Sequence, residues 1–189
     1  MILDNIRNFD WVNEPENVSF TESGLQITAQ KSTDFWQNVD GGFCKDNGHF
    51  FATYQNNNFV LDCKWFFEQI KDSAQCGAMI RIDEQNWIKL GLLSPNIYNP
   101  QIGVIAANQG ASDWSMHDIP HETHTLWFKL KRCYKDFVAY YSTDGENYQT
   151  LRIIHLPKAI GALKVGVYAC APKDENFECI LEEINLKML

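Results

Sequence analysis

Between Asn58 and Glu68, apolar side chains fall at every second position: Phe59, Leu61, Cys63, Trp65 and Phe67. A period of two places all five on one face of a β-strand, with Asp62, Lys64 and Glu68 on a more polar opposite face. The same alternation marks Leu25, Ile27 and Ala29 after Gly24, and sets Leu126, Phe128 and Leu130 against Trp127, Lys129 and Lys131. Elsewhere the apolar positions run together. Residues 74–82 and 86–94 are two such runs separated by the polar cluster Asp83-Glu84-Gln85-Asn86, which predicts a central β-hairpin. A glycine turn is expected at Gly41-Gly42. Further strands are expected over residues 49–55, 101–107 and 136–142, the last closed by the hairpin signal Asp144-Gly145. Residues 151–156, 161–170 and 177–189 supply the remaining strand-length runs.

Three stretches resist a periodic reading. Phe9 to Pro15 shows neither period and is expected to be an irregular, aromatic-anchored segment. Phe66 to Asp72 lacks the sustained stripe of a helix. Asn108 to Glu122, polar and rich in turn formers, is expected to be a long loop. About a dozen short strands with turn residues between them predict an all-β sandwich, taken as one domain over residues 1–189.

The chain is long enough for one substantial core: 189 residues, 45% hydrophobic and 13% aromatic. Twenty-four acidic against 16 basic residues give a net charge of −8, which disfavours nucleic acid as a partner. Charge at Asp4 and Arg7 interrupts the N-terminal apolar residues, so neither a signal peptide nor a membrane span is expected, and a cytoplasmic location follows. The six cysteines form no Cys-x-x-Cys pair and are read as free thiols in a reducing compartment.

Catalytic patterns are sparse. Glycoside hydrolysis needs two carboxylates facing the scissile bond; the nearest approach is Glu178 and Glu182, which share a face of a regular terminal strand, and these read as solvated charges. His117, His121 and His124, with Asp113 nearby, have no rigid metal-ligand spacing, and Pro120 prevents a helix from presenting them together. Neither Gly-x-Ser-x-Gly nor a phosphate-cradling glycine loop is present, so no cofactor and no metal are expected. What remains is aromatic and polar: Trp36 near Asp34, Trp87 near Lys89, and Trp114 beside Asp113. An indole stacks on the C–H face of a sugar ring while neighbouring polar groups bind its hydroxyls. The competing reading is that these tryptophans pack in the core.

Taken in order, several motifs form one pattern: Trp11-x-Asn13-x-Pro15, Thr33-Asp34-Phe35-Trp36, Trp87-Ile88-Lys89-x-Gly91, Ser112-Asp113-Trp114-Ser115, Ser142-x-Asp144-Gly145, Val165-Gly166 and Ala171-Pro172. The chain thereby resembles the domain-of-unknown-function family that includes the fungal regulation-of-enolase proteins. That resemblance implies a concanavalin A-like jelly-roll sandwich of two antiparallel sheets, with no catalytic residues to carry over. Where the family usually has Glu after the Trp-x-Lys-x-Gly motif, this chain has Leu93, and Lys129 stands in place of a usual Arg. Arg132 and Arg152 keep family positions. The expected function is a non-catalytic or weakly catalytic protein that binds a carbohydrate or other small polar ligand in the concave sheet. The residues expected to line that sheet are Asp34, Trp36, Arg81, Trp87, Lys89, Asp113, Trp114 and Lys129. A glycoside-processing enzyme and a protein-interaction module are the alternatives.

Overall fold

A computed structural model describes residues 6–37, 42–95 and 97–189. The expected turn at Gly41-Gly42 and the first five residues fall, in part or wholly, outside these. Strands β1 (Asp10–Val12), β2 (Asn17–Thr21) and β3 (Gly24–Ala29) precede two short strands, β4 (Phe35–Gln37) and β5 (Cys44–Asp46). Next come β6 (His49–Gln55), β7 (Phe59–Phe66), β8 (Gln75–Asp83), β9 (Asn86–Leu93) and β10 (Gln101–Asn108). β11 (Ala111–Asp118), β12 (Thr125–Cys133), β13 (Asp136–Ser142), β14 (Gln149–His155), β15 (Leu163–Cys170) and β16 (Phe177–Met188) complete the chain, with no helix among the described residues.

These strands form two seven-stranded antiparallel sheets, the expected all-β sandwich. The first runs β1-β6-β15-β8-β9-β10-β11 and the second β14-β13-β12-β7-β16-β3-β2, while β4 and β5 pair in a hairpin of their own. Each strand of β7's pattern behaves as its period demands: Phe59, Leu61, Cys63 and Trp65 enter the core between the sheets, where they meet Ile80, Leu90 and Val167 of the first sheet. That burial is the main driving force of the sandwich.

A second apolar layer lies on the outer face of the first sheet. Phe50, Met79, Trp87, Tyr168 and Cys170 are buried there beneath Phe35 of the β4–β5 hairpin. Strands β8, β9 and β10 are therefore covered on both faces. This is why their sequences are apolar throughout instead of alternating.

Three expectations need correction. Most of the supposed long loop is β11, which pairs along its whole length with β10. As the last strand of its sheet it is largely exposed, so its sequence carries no apolar stripe. The irregular N-terminal segment contains β1, paired with β6, and its Trp11 stacks on Phe51 with ring centroids 4.7 Å apart. Finally, β16 is not regular: its register with β7 shifts between Leu181 and Glu183. A bulge of this kind re-aims side chains, and both Glu182 and Glu183 reach Lys64, at 2.8 and 3.9 Å.

Candidate ligand cleft

The β8–β9 hairpin turns at Glu84-Gln85, where the Asp83 carboxylate accepts from Gln85 N at 2.9 Å and Asn86 Nδ2 at 2.6 Å. Its register pairs Arg81 with Trp87, Met79 with Lys89, Gly77 with Gly91 and Gln75 with Leu93. Directly opposed residues share a face, so these eight side-chain positions all lie on the outer face. Gly103 of β10 stands opposite Gly91, which makes a row of three glycines across three strands. No side chain fits there: a Cβ on Gly91 would meet the Cys76 carbonyl oxygen at 2.2 Å. Tyr168, buried opposite Gly77, lies over this row, and its hydroxyl would be 2.9 Å from that Cβ.

Across this face lies the β4–β5 hairpin, held by two cations. Lys89, with no exposed surface, donates at 2.8 Å to each of three oxygens: Asp34 Oδ1, the Phe35 carbonyl and Gln75 Oε1. An ammonium group has three donors, and all are used. Arg81 makes a two-pronged pair with the Asp46 carboxylate, through Nη1 to Oδ1 and through Nη2 to Oδ2 at 2.7 Å. Phe35 packs edge-on to Phe50 at 6.5 Å, beside Gly48, whose missing Cβ would collide with both the Phe35 ring and Cys170 Sγ at 2.6 Å.

The hairpin leaves one part of the sheet open. Trp36 on β4 and Trp114 on β11 stand with ring centroids 5.4 Å apart, tilted by 54°. They flank a cleft of about 210 Å³ whose walls include Gln75, Leu93, Ile105 and Met116. Trp114 is 52% exposed, so it presents a large part of its indole to solvent.

Six of the eight residues expected to line the ligand surface lie on or against this face. Trp36 and Trp114 flank the cleft. Asp34, Arg81 and Lys89 hold the hairpin instead, and Trp87 is fully buried, its Nε1 donating to the Glu84 carbonyl at 3.1 Å. The other two are elsewhere. Asp113 stands opposite Ala106 on the core-facing side of β11 and pairs with Arg152 of β14 at 2.5 Å. Lys129 projects from the outer face of the second sheet, 3.2 Å from Asp62 and 3.7 Å above the Tyr148 ring. Sequence reasoning missed Gln75, Leu93, Ile105 and Met116. An amide at the start of an otherwise apolar run was the available signal for Gln75.

Lys129 borders a larger groove of about 600 Å³ that includes Asp62, Lys64, Trp127, Tyr148 and Glu182. Lys64 pairs with Glu182 and Lys129 with Asp62, and Glu183, also in the wall, leaves the groove with an excess of negative charge. Burial, reinforced by the charge of Asp62, pushes the Tyr148 hydroxyl up to about 12.

A family model described as "Protein of unknown function (DUF1349)" matches residues 11–188. The chain belongs to this DUF1349 family. A relative, Regulation of enolase protein 1 of Saccharomyces cerevisiae, is 27% identical over 179 residues, covering 93% of this chain and 87% of that protein. The crystal structure of a functionally unknown protein from Saccharomyces cerevisiae superposes with a TM-score of 0.89 at 22% identity, over 97% of this chain and 98% of that one. The GH43 BlXynB protein from Bacillus licheniformis matches 96% of this chain with 37% of its own, at 14% identity and a TM-score of 0.74. The carbohydrate-binding module CBM66 from Bacillus subtilis gives 0.57 at 12% identity, over 95% of both chains. At these identities the solved structures establish that the DUF1349 chain shares their β-sandwich fold.

Proposed function

We propose that this DUF1349 protein binds a carbohydrate, or a small polar ligand of similar shape, in the cleft between Trp36 and Trp114, and does so without hydrolysing it. The observation that carries this reading is the tilted indole pair beside an amide side chain, Gln75. Aromatic faces stack on the C–H faces of a sugar while an amide binds its hydroxyls. Glycoside hydrolysis requires a pair of carboxyl groups across the bond, and no carboxylate lines this cleft among the described residues. Leu93, where the family resemblance leads one to expect Glu, forms part of its wall. Similarity of fold to a carbohydrate-binding module supports the reading by analogy. A reducing, cytoplasmic setting is part of the proposal, supported by six free cysteines.

Tryptophan fluorescence titrated with a panel of neutral mono- and oligosaccharides tests it. Wild type should give a saturable change that Trp114→Ala, shown folded by circular dichroism, loses. A panel in which no sugar produces saturation overturns the reading.

A second reading, a module that regulates another protein, draws on the name of the yeast relative and on one surface feature. Ile97 and Tyr98 are 40% and 82% exposed above a hollow ringed by Glu68, Asp72, Glu122 and Glu175. Exposed apolar groups rimmed by charge suit a protein partner, and a failed sugar panel would direct the search there.

A further inference from the structure

We infer that the cleft takes a single neutral sugar ring, and that the side-chain amide of Gln75, oriented by the buried Lys89, is the donor that reads one of its oxygens. The inference rests on the carbohydrate reading and narrows it to a ligand class and a recognition residue.

The orientation of Gln75 follows from donor and acceptor counting. An ammonium group can only donate, so the end of Gln75 that meets Lys89 Nζ at 2.8 Å is its carbonyl oxygen. In a glutamine the assignment of O and N must come from the network, and here the network admits one answer. The NH₂ end is then turned away from Lys89, and Gln75 is one of the walls of the cleft. Lys89 thus fixes both sides of the site. Through Asp34 and the Phe35 carbonyl it seats the hairpin that carries Trp36, and through Gln75 it sets a donor. An occupant must offer an acceptor to that donor and an apolar face to the indoles, which a hydroxyl or ring oxygen on a pyranose or furanose supplies.

Charge excludes the ionised sugars. Among the described residues no cation lines the cleft: Arg81 and Lys89, on β8 and β9, are paired with Asp46 and Asp34 respectively, and Lys45, opposite Trp36 on β5, donates to the Ser32 carbonyl at 3.1 Å. A phosphate or uronate would lose its hydration without gaining a cation, on a chain of net charge −8. A protonated amino sugar would find no carboxylate in the walls. Size excludes long chains from full enclosure. The cleft, about 210 Å³, lies below the range of about 300–1,000 Å³ usual for drug-sized ligands, so it encloses one ring.

The test is calorimetric and uses methyl glycosides of hexoses and pentoses, their monodeoxy analogues, and the matching sugar phosphates and uronates. On wild type, a neutral glycoside should bind while the phosphate and the uronate bind at least about tenfold more weakly. One monodeoxy analogue should lose about tenfold, the cost of leaving a buried donor unpaired. Gln75→Met, close in shape and leaving Lys89 two of its three acceptors, should lose a similar factor for the parent glycoside and nothing more for that analogue. A merely structural role for Gln75 would weaken every analogue alike. Binding of phosphates as tight as that of neutral glycosides, or a folded Gln75→Met that binds as wild type does, overturns this inference and leaves the carbohydrate reading standing. Failure of every sugar to bind removes both.

Discussion

Lys89 shows how a charged residue in an apolar strand can serve the fold before it serves a ligand. Moving an ammonium group out of water is costly, and the cost is met only where good geometry satisfies every donor. At this position one carboxylate and two neutral oxygens do so, each at 2.8 Å. Asp34 is equally committed, since the Oδ1 that receives Lys89 also accepts from Phe35 N at 2.8 Å. Lys129 is a contrast: it and Asp62 retain 30% and 33% of their side-chain exposure, and such a pair contributes about 0–1 kcal/mol. Replacing Lys89 by Met would leave Asp34 buried without its cation, and loss of one partner of a buried pair costs about 3–5 kcal/mol. Urea unfolding followed by circular dichroism should show a lower midpoint for Lys89→Met with an unchanged slope. A midpoint within error of wild type would mean that the clamp contributes no net stability.

At the scale of strands, the glycine row decides how closely Tyr168 and the β8–β10 strands approach. Gly91→Ala would place a methyl group 2.2 Å from the Cys76 carbonyl oxygen, a backbone atom that cannot swing away, and 2.9 Å from the Tyr168 hydroxyl. Such overpacking costs about 1–3 kcal/mol, which thermal unfolding should register; an unchanged midpoint would show that the sheet shifts freely. The same strands explain what could be read from the sequence. β7 was legible because one of its faces is buried and the other wet, which writes a period of two into the residues. The β8–β9 hairpin was legible in position and turn but not in meaning. Buried on both faces, it gave no sign that a hairpin covers its outer side, so Trp87 and Lys89 looked like ligand residues. β11 was lost because an exposed edge strand has almost nothing to bury. β4 and β5, three residues each, are too short to show any period. Trp36 and Trp114, two of the eight residues expected to line the ligand surface, stand 5.4 Å apart on one face, and a tryptophan beside polar residues draws notice without knowing its strand.

For the molecule as a whole, two apolar layers raise the question of whether they open together or separately, and the cysteines are placed to answer it. Cys44 and Cys133 are exposed, while Cys63, Cys76, Cys170 and Cys179 are buried. Thiolates are the reactive species, and burial pushes Cys63 up to about 12 and raises Cys76 and Cys170 well above the usual thiol range. A thiol-specific reagent at neutral pH should therefore label Cys44 and Cys133 rapidly and the four buried residues only through opening. Those four divide by layer. Cys63, Cys76 and Cys179 lie between the sheets, whereas Cys170 belongs to the outer layer beneath the hairpin, beside Gly48 and Phe35. Local opening free energies range from near zero up to the global value, and the hairpin is anchored chiefly by Lys89, Arg81 and Phe35. Labelling followed by mass spectrometry should thus find Cys170 reacting ahead of the three inter-sheet thiols in Lys89→Met, because the loosened hairpin exposes it without separating the sheets. If all four label at one rate in that variant, hairpin and sandwich unfold as one cooperative unit, and the wall of the cleft that carries Trp36 is as rigid as the core beneath it.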